Sequence, residues 1–377
     1  MAYALTEGRI FTGDEVLSGH AVIVDSGRIE SVVPVDQLPS GIDKLALNGN
    51  LLAPGFIDVQ VNGGGGALLN DDPSSVTINT IGEAHRHFGT TGFLPTLITD
   101  TRDTMEAAIQ AVREALRQKV PGVRGIHLEG PYLNTSRKGV HRKEVIREPE
   151  QDAIDLLCSL GSEGITLVTL APERVPPGFI RELRRRGVLV SLGHTEASYD
   201  QVLQALEEGA TCFTHLYNAM SPLNHRDPGA VGAALDDPDS WCGIIADGHH
   251  VHPASLRIAF RAKAKGKMML VTDAMHTVGI EGDRFELQGQ TLIRRDGLLA
   301  TEDGVLAGSD LDMATAVRYC VNHAGVNLEE TLRMASLYPA TFLGIEQKYG
   351  RIAPGYCADM VLLDEKFNVI SSWVDGS

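Results

Sequence analysis

Glu129, His194 and His215 each stand at or just past the C-terminal end of a short apolar run. One carboxylate and two imidazoles, with a coordination position left open, form the donor set of a catalytic zinc centre. Non-haem iron uses the same donor types, so the set leaves the metal open. Each residue alone also has an ordinary reading: a hydrogen-bonded structural histidine, or a carboxylate in a salt bridge or helix cap. Their recurrence at equivalent places gives the set its weight. Asp273 follows another such run, in Val271-Thr272-Asp273-Ala274. It can cap a helix, or, beside a metal, take a proton from water and return it to a leaving amine. His141 closes the polar stretch Arg137-Lys138-Gly139-Val140-His141. That stretch reads as a solvated basic loop or as the source of a substrate-orienting donor.

The elements that must position these residues are repetitive. Eight apolar runs lie between Pro54 and Gly344: Phe56–Val61, Phe93–Ile98, Arg124–Leu128, Thr166–Leu170, Val188–Leu192, Thr211–Thr214, Cys242–Ala246 and Met268–Thr272. Helix-period segments separate most of them, with Met105–Gln118, Gln151–Leu160 and Tyr199–Glu208 the clearest. Between the sixth and seventh runs Pro222, Pro228 and Gly229 interrupt the pattern. Near-continuous apolar strands alternating with helices predict a parallel sheet covered by helices, either a closed (β/α)8 barrel or an open doubly wound sheet. The polar residues favour the barrel. The runs end in Gln60-Val61-Asn62, in His127-Leu128-Glu129-Gly130-Pro131, in Gly193-His194-Thr195, in Thr214-His215-Leu216-Tyr217-Asn218, in Asp247-Gly248-His249-His250 and at Asp273. In a parallel barrel all those ends meet on one face, where the active site lies.

Both chain ends look different. Ala4–Phe11, Ala21–Val24 and Arg28–Pro34 read as strands punctuated by glycines, and Cys357–Leu363 and Val369–Val374 read the same way. The predicted fold class is therefore α/β: a TIM-like barrel over residues 54–344, with a small β-sandwich domain assembled from 1–53 and 345–377.

Lys and Arg number 33 against 49 Asp and Glu, a formal charge of −16. The mean field repels phosphate, which argues against binding nucleic acid or an anionic membrane and requires a local cationic cluster for any anionic substrate. Five scattered cysteines without a C-x-x-C pair suit a reducing, cytoplasmic setting better than a disulfide framework. The first residues lack the basic and apolar regions of a signal peptide, and no apolar stretch reaches the length of a membrane span. Asn62-Gly63-Gly64-Gly65-Gly66 has neither the ending of a phosphate loop nor the spacing of a dinucleotide fingerprint, so it reads as a tight loop at the mouth of the site.

Taken together, Pro54-Gly55-Phe56-Ile57-Asp58, the His127–Pro131 stretch, Gly193-His194-Thr195, Thr214-His215-Leu216-Tyr217-Asn218-Ala219-Met220 and Val271–Ala274 resemble the amidohydrolase superfamily and, within it, the N-acetylglucosamine-6-phosphate deacetylases. The resemblance covers essentially the whole chain. It implies deacetylation of N-acetylglucosamine 6-phosphate with one divalent metal per chain, Zn2+ first and Fe2+ or Mn2+ next, held by Glu129, His194 and His215. Many members of the superfamily carry His-x-His after the first strand for a second metal. Here those positions are Gln60 and Asn62, poor transition-metal ligands, which implies a vacant second site. The resemblance further implies Asp273 and His141 as catalytic residues. Val140, His141, Asn218 and Ala219 would contact the sugar, Arg226 and His250 the phosphate, and Leu306, Ala307 and Gly308 the acetamide. A homodimer is implied too, with the phosphate arginine supplied in either subunit's site. The alternatives are an N-acetylgalactosamine-6-phosphate deacetylase, another mononuclear amidohydrolase such as a deaminase or amino-acid deacylase, and a non-catalytic assembly protein on the same scaffold.

Overall fold

The structure, a computed structural model, describes residues 2–287 and 289–377. Eight parallel strands form the central sheet in strict sequence order. They are β1 (Phe56–Val61), β2 (Thr90–Ile98), β3 (Gly125–Glu129), β4 (Ile165–Leu170), β5 (Leu189–Leu192), β6 (Cys212–Phe213), β7 (Trp241–Ile244) and β8 (Met268–Leu270). Nearly every residue in them is buried, because helices cover the outside and side chains fill the inside. Each of the eight predicted runs overlaps one strand.

The sheet closes just beyond the strand ends. Asp273 N–H donates to the Gln60 carbonyl at 3.0 Å, and Asn62 N–H donates to the Ala274 carbonyl at 2.9 Å. The seam between first and last strand is therefore made by residues of the candidate site. β6 is only two residues long because the chain turns into the left-handed region at His215 (φ +32°).

Helices α1 (Ser75–Arg86), α2 (Arg102–Arg117), α3 (Ala153–Leu157), α4 (Phe179–Arg185), α5 (Tyr199–Glu207), α6 (Gly229–Asp236) and α7 (Pro253–Ala262) alternate with the strands. α2 buries Met105, Ala108, Ile109 and Val112, spaced at three and four residues, and starts at a Thr101 cap that accepts from Thr104 N–H. The predicted Gln151–Leu160 helix shortens to five residues. The 275–303 segment carries a three-stranded antiparallel meander of Arg284–Leu287, Gln290–Arg295 and Leu298–Thr301.

The ends of the chain build two further sheets. A four-stranded sheet runs Arg28–Pro34, His20–Asp25, Tyr3–Thr6, Asp43–Ala46. A five-stranded one runs Val369–Trp373, Met360–Leu363, Leu51–Pro54, Arg9–Phe11, Val16–Ser18. The predicted single strand Ala4–Phe11 breaks between these sheets. Glu7 is left-handed (φ +61°), and a Cβ on Gly8 would meet Leu47 at 2.7 Å. An apolar cluster of Leu5, Ile10, Val22, Ile29, Leu52, Met360 and Trp373 fills this part. It is tied to the barrel by Arg124, which donates to the buried Asp359 carboxylate at 2.8 Å and stacks over Tyr349. Among the described residues no helix is long and apolar enough to cross a membrane.

Candidate active site

Glu129 is the last residue of β3, and strand register sets it level with Ile98 of β2 and Thr169 of β4. His194 follows β5 and His215 follows β6, both with left-handed backbone (φ +49° and +32°). Asp273, past β8, shares that conformation (φ +52°). Such backbone costs a non-glycine residue on the order of 1–3 kcal/mol and persists only where its surroundings impose it. Here it turns three side chains inward over the barrel mouth.

Three donor atoms converge. Glu129 Oε1 lies 3.2 Å from His194 Nε2 and 3.1 Å from His215 Nε2, and the two imidazole nitrogens lie 3.1 Å apart. His194 Nδ1 donates to the Arg137 carbonyl at 2.7 Å. A carbonyl only accepts, so a neutral His194 carries its hydrogen on Nδ1 and turns a lone pair toward Glu129 and His215. A buried lone pair facing a carboxylate and a second imidazole nitrogen is unfavourable unless a cation joins them. Tetrahedral donors about 2.0–2.1 Å from a zinc ion stand roughly 3.3–3.4 Å apart, close to the spacing observed. The residues therefore fit a divalent metal. Glu129, His141 and His194 also bring ligand atoms within 4.8 Å of one another. The triangle closed by His215 is tighter than the one closed by His141.

Asp273 sits against this triangle. Its Oδ1 accepts from Asn62 Nδ2 at 2.7 Å and from Gln60 Nε2 at 3.1 Å, and Gln60 Nε2 also reaches Glu129 Oε1 at 3.1 Å. Two carboxylates can only accept, which fixes how both amides are turned. The Gln60 NH2 group thus bridges Glu129 and Asp273. Burial, reinforced by the neighbouring Glu129 charge, raises Asp273 to about 6. Burial also acts to raise Glu129, but the adjacent His194 and His215 rings outweigh it and hold that carboxyl well below its usual range.

His141 is buried on a loop that the end of β2 clamps. Arg142 donates to the Asp100 carboxylate at 2.8 Å, and Arg147 donates to the Asp100 carbonyl at 2.8 Å. Burial, then the nearby His194, lowers His141 to about 3, so it is neutral near pH 7. Beneath the triangle His127 Nε2 accepts from the Thr169 hydroxyl at 2.7 Å, and Thr169 hydrogen-bonds Thr214 at 2.7 Å. This polar layer underlies the bases of Glu129 and His215.

A cavity of about 340 Å³ opens above these groups. Glu129, His194, His215, Asp273, His141, Val140, Asn218, Ala219, His250, Leu306 and Gly308 all line it. Two residues expected at the substrate do not line the cavity within one chain. Ala307 does not line the cavity; its side chain is buried against Leu68, Met275, Leu292 and Leu299. Arg226 does not line it either. It is exposed, in a segment 222–227 with no buried residue, so within one chain it offers no charge to the cavity. His250 lines the cavity but commits Nδ1 to Asp247 at 2.6 Å. Sequence reasoning did not single out Arg137, Ser136, Ile98 or Ile245 as lining residues. Arg137 stood in plain view in the basic stretch before His141, and nothing in its neighbours marked it.

Residues 51–377 match the amidohydrolase family, and residues 2–52 match the NagA composite domain. The chain is 45% identical over 330 residues to the N-acetylgalactosamine-6-phosphate deacetylase of Shewanella sp. (strain ANA-3), covering 88% of this chain and 83% of that relative. It is 37% identical to the N-acetylglucosamine-6-phosphate deacetylase of Haemophilus influenzae, covering 100% of this chain and 99% of the relative. The crystal structure of N-acetylglucosamine-6-phosphate deacetylase from Pasteurella multocida superposes with a TM-score of 0.96 at 40% identity, covering 100% of this chain and 99% of the other. The barrel, the inward-turned donors and these matches agree: the chain belongs to the amidohydrolase family.

Proposed function

We propose that the protein hydrolyses the acetamide of N-acetylglucosamine 6-phosphate to glucosamine 6-phosphate and acetate. The observation that carries this reading is the convergence of Glu129, His194 and His215 beside Asp273 and His141 in one cavity. Glu129, His194 and His215 would hold one divalent metal, Zn2+ by donor type. Such an ion supplies Lewis acidity, which makes water nucleophilic near neutral pH and polarises a carbonyl. Asp273, as carboxylate, accepts a proton from the attacking water and passes it to the leaving nitrogen. Asn62 and Gln60 hold the carboxylate in place through that transfer. His141, neutral and buried, donates a hydrogen bond to the oxygen on which charge develops, a contribution of about 3–4 kcal/mol in comparable sites. Gln60 and Asn62 present neutral amides where a second metal would need imidazoles, and they donate to the Glu129 and Asp273 carboxylates instead.

The phosphate contacts remain part of the proposal. His250 lies at the cavity wall. Arg226, exposed and outside its own chain's cavity, serves the site of a neighbouring subunit in a homodimer. The division into 1–53 with 345–377 against 54–344 is supported by the separate apolar cluster of the terminal sheets. A cytoplasmic location is supported by five free cysteines. A second reading, N-acetylgalactosamine 6-phosphate as substrate, is favoured by the 45% identity to a deacetylase of that name. The complete donor set with its base speaks against a non-catalytic assembly protein.

The test is acetate release by purified protein from both phosphorylated sugars and from unphosphorylated N-acetylglucosamine, with bound metal quantified in the same sample. Release from N-acetylglucosamine 6-phosphate at about one metal per chain is expected. Faster release from the galactosamine epimer would install the second reading, and no release from any sugar by metal-loaded protein would discard both.

A further inference from the structure

Thr99 follows directly on β2 and is buried. It meets the His141 ring with two groups. Its hydroxyl Oγ1 lies 2.7 Å from His141 Nδ1, and its backbone N–H donates to the same nitrogen at 3.3 Å. The backbone N–H cannot reverse its role. A hydrogen on Nδ1 would face it head-on, so Nδ1 presents a lone pair. A neutral imidazole then carries its hydrogen on Nε2.

We infer that Thr99 is a positioning residue that fixes His141 in the Nε2–H tautomer, so that the ring enters the cavity as a hydrogen-bond donor to substrate and not as a further lone pair beside Glu129 and His194. The inference rests on the deacetylase reading, in which His141 must donate. The competing arrangement can be drawn in full. Thr99 Oγ1 also lies 3.0 Å from the Glu129 carbonyl oxygen. With hydrogen on Nδ1, His141 would donate to Oγ1, and Oγ1 would donate onward to Glu129. That chain aims the Nδ1 hydrogen at the Thr99 N–H, and it leaves Nε2 a ligand for the ion. Thr99 thus decides between donor and ligand.

The loop's placement does not depend on the hydroxyl. Arg142 and Arg147 hold it to Asp100, the next residue along. Removing the hydroxyl takes away the shorter bond to Nδ1, at 2.7 Å, and leaves only the longer 3.3 Å N–H contact to hold the tautomer, without moving the loop. Outer partners of this kind typically change activity 10- to 100-fold when lost.

The experiment uses zinc-loaded, full-length protein as wild type, Thr99→Val and Thr99→Ser. Side-chain nitrogen NMR of 15N-histidine-labelled protein reads the tautomer, with the His141 signals assigned by their loss in His141→Gln. The expected result is a protonated Nε2 and an unprotonated Nδ1 in wild type and Thr99→Ser, and mixed tautomers in Thr99→Val. Thr99→Val should lose roughly 10- to 100-fold in kcat with unchanged KM and zinc content, and Thr99→Ser should restore most of it. Hydrogen on Nδ1 in wild type, or a Thr99→Val kcat within twofold of wild type, would overturn the inference. If Thr99→Val does not fold, the wild-type spectrum alone still decides the tautomer. Failure of the deacetylase reading looks different: wild type itself releases no acetate, whatever its spectrum.

Discussion

Replacing Asp273 by Asn isolates proton transfer from everything else the side chain does. Oδ1 accepts two amide hydrogens, at 2.7 Å from Asn62 and 3.1 Å from Gln60. An asparagine carbonyl oxygen can accept both. The left-handed backbone at +52° also suits Asn, one of the few residue types that visit that region readily. Asp273→Asn should therefore fold like wild type, whereas Ala would strand two buried donors at about 1–3 kcal/mol each. What the variant loses is a base and its conjugate acid. Positioned general acid–base groups contribute about 10²–10⁴-fold, equivalent to roughly 2.7–5.4 kcal/mol of barrier. The loss should fall on kcat, since the group acts on the proton in flight more than on bound sugar. The assay is acetate release at saturating N-acetylglucosamine 6-phosphate, with metal per chain and the unfolding midpoint measured on the same preparation. A kcat within tenfold of wild type, at full metal content, would remove Asp273 from proton transfer and refute the reasoning.

Because Asp273 must be ionised to act, kcat should fall as pH drops through its pKa. Burial and Glu129 place that near 6, and a bound cation lowers it, so the acid limb should lie at or below about 6 and vanish in Asp273→Asn; a limb well above 6 would exclude this carboxyl as its source. Chelation should abolish activity reversibly and lower the melting temperature by a few degrees, since an ion at a hundred times its Kd stabilises by about 2.7 kcal/mol; an unchanged melt would mean no ion is held in the folded state. Arg226→Ala should cost about 2 kcal/mol or more in kcat/KM for phosphorylated sugar and little for the unphosphorylated one, with equal losses on both removing it from the phosphate role. Arg124→Ala should destabilise by about 3 kcal/mol in denaturant melts while leaving kcat of folded protein intact, because it leaves the buried Asp359 carboxylate unpaired; a stable variant would show the pair contributes nothing.

The barrel was legible because its strands are buried on both faces. Runs such as Thr166–Leu170 stay apolar or β-branched throughout and stop abruptly at polar residues. Glu129, His194, His215 and Asp273 could be named from the same breaks. Other parts depend on contacts between distant segments. Whether Arg226 reaches the cavity is decided by the path of an exposed loop, and nothing in Asn224-His225-Arg226-Asp227 encodes its direction. Ala307 and Gly308 are neighbours, yet Gly308 lines the cavity and Ala307 packs into the meander. The alternation there belongs to a loop without strand or helix period. Thr99 looked like any β-branched residue at a strand end, and its relation to His141 spans 42 residues. The split of Ala4–Phe11 turns on Gly8 lying against Leu47, a contact the local β-propensity does not reveal.

The five-stranded terminal sheet also sets an order of events during synthesis. Leu51–Pro54 lies between Arg9–Phe11, made moments earlier, and Met360–Leu363, made about 300 residues later. Tyr3 donates to the Gly376 carbonyl across 373 positions of chain. At about 5–20 residues per second the intervening polypeptide takes roughly 15–60 s to emerge. For that interval one edge of Leu51–Pro54 has no partner strand, and Leu52 lacks Met360 and Trp373 to pack against. A growing chain thus carries an open β-edge that only Met360–Leu363 can close. Nascent chains halted before residue 360 should need a chaperone to stay dispersed, because the Leu51–Pro54 edge stays open until Met360–Leu363 pairs with it.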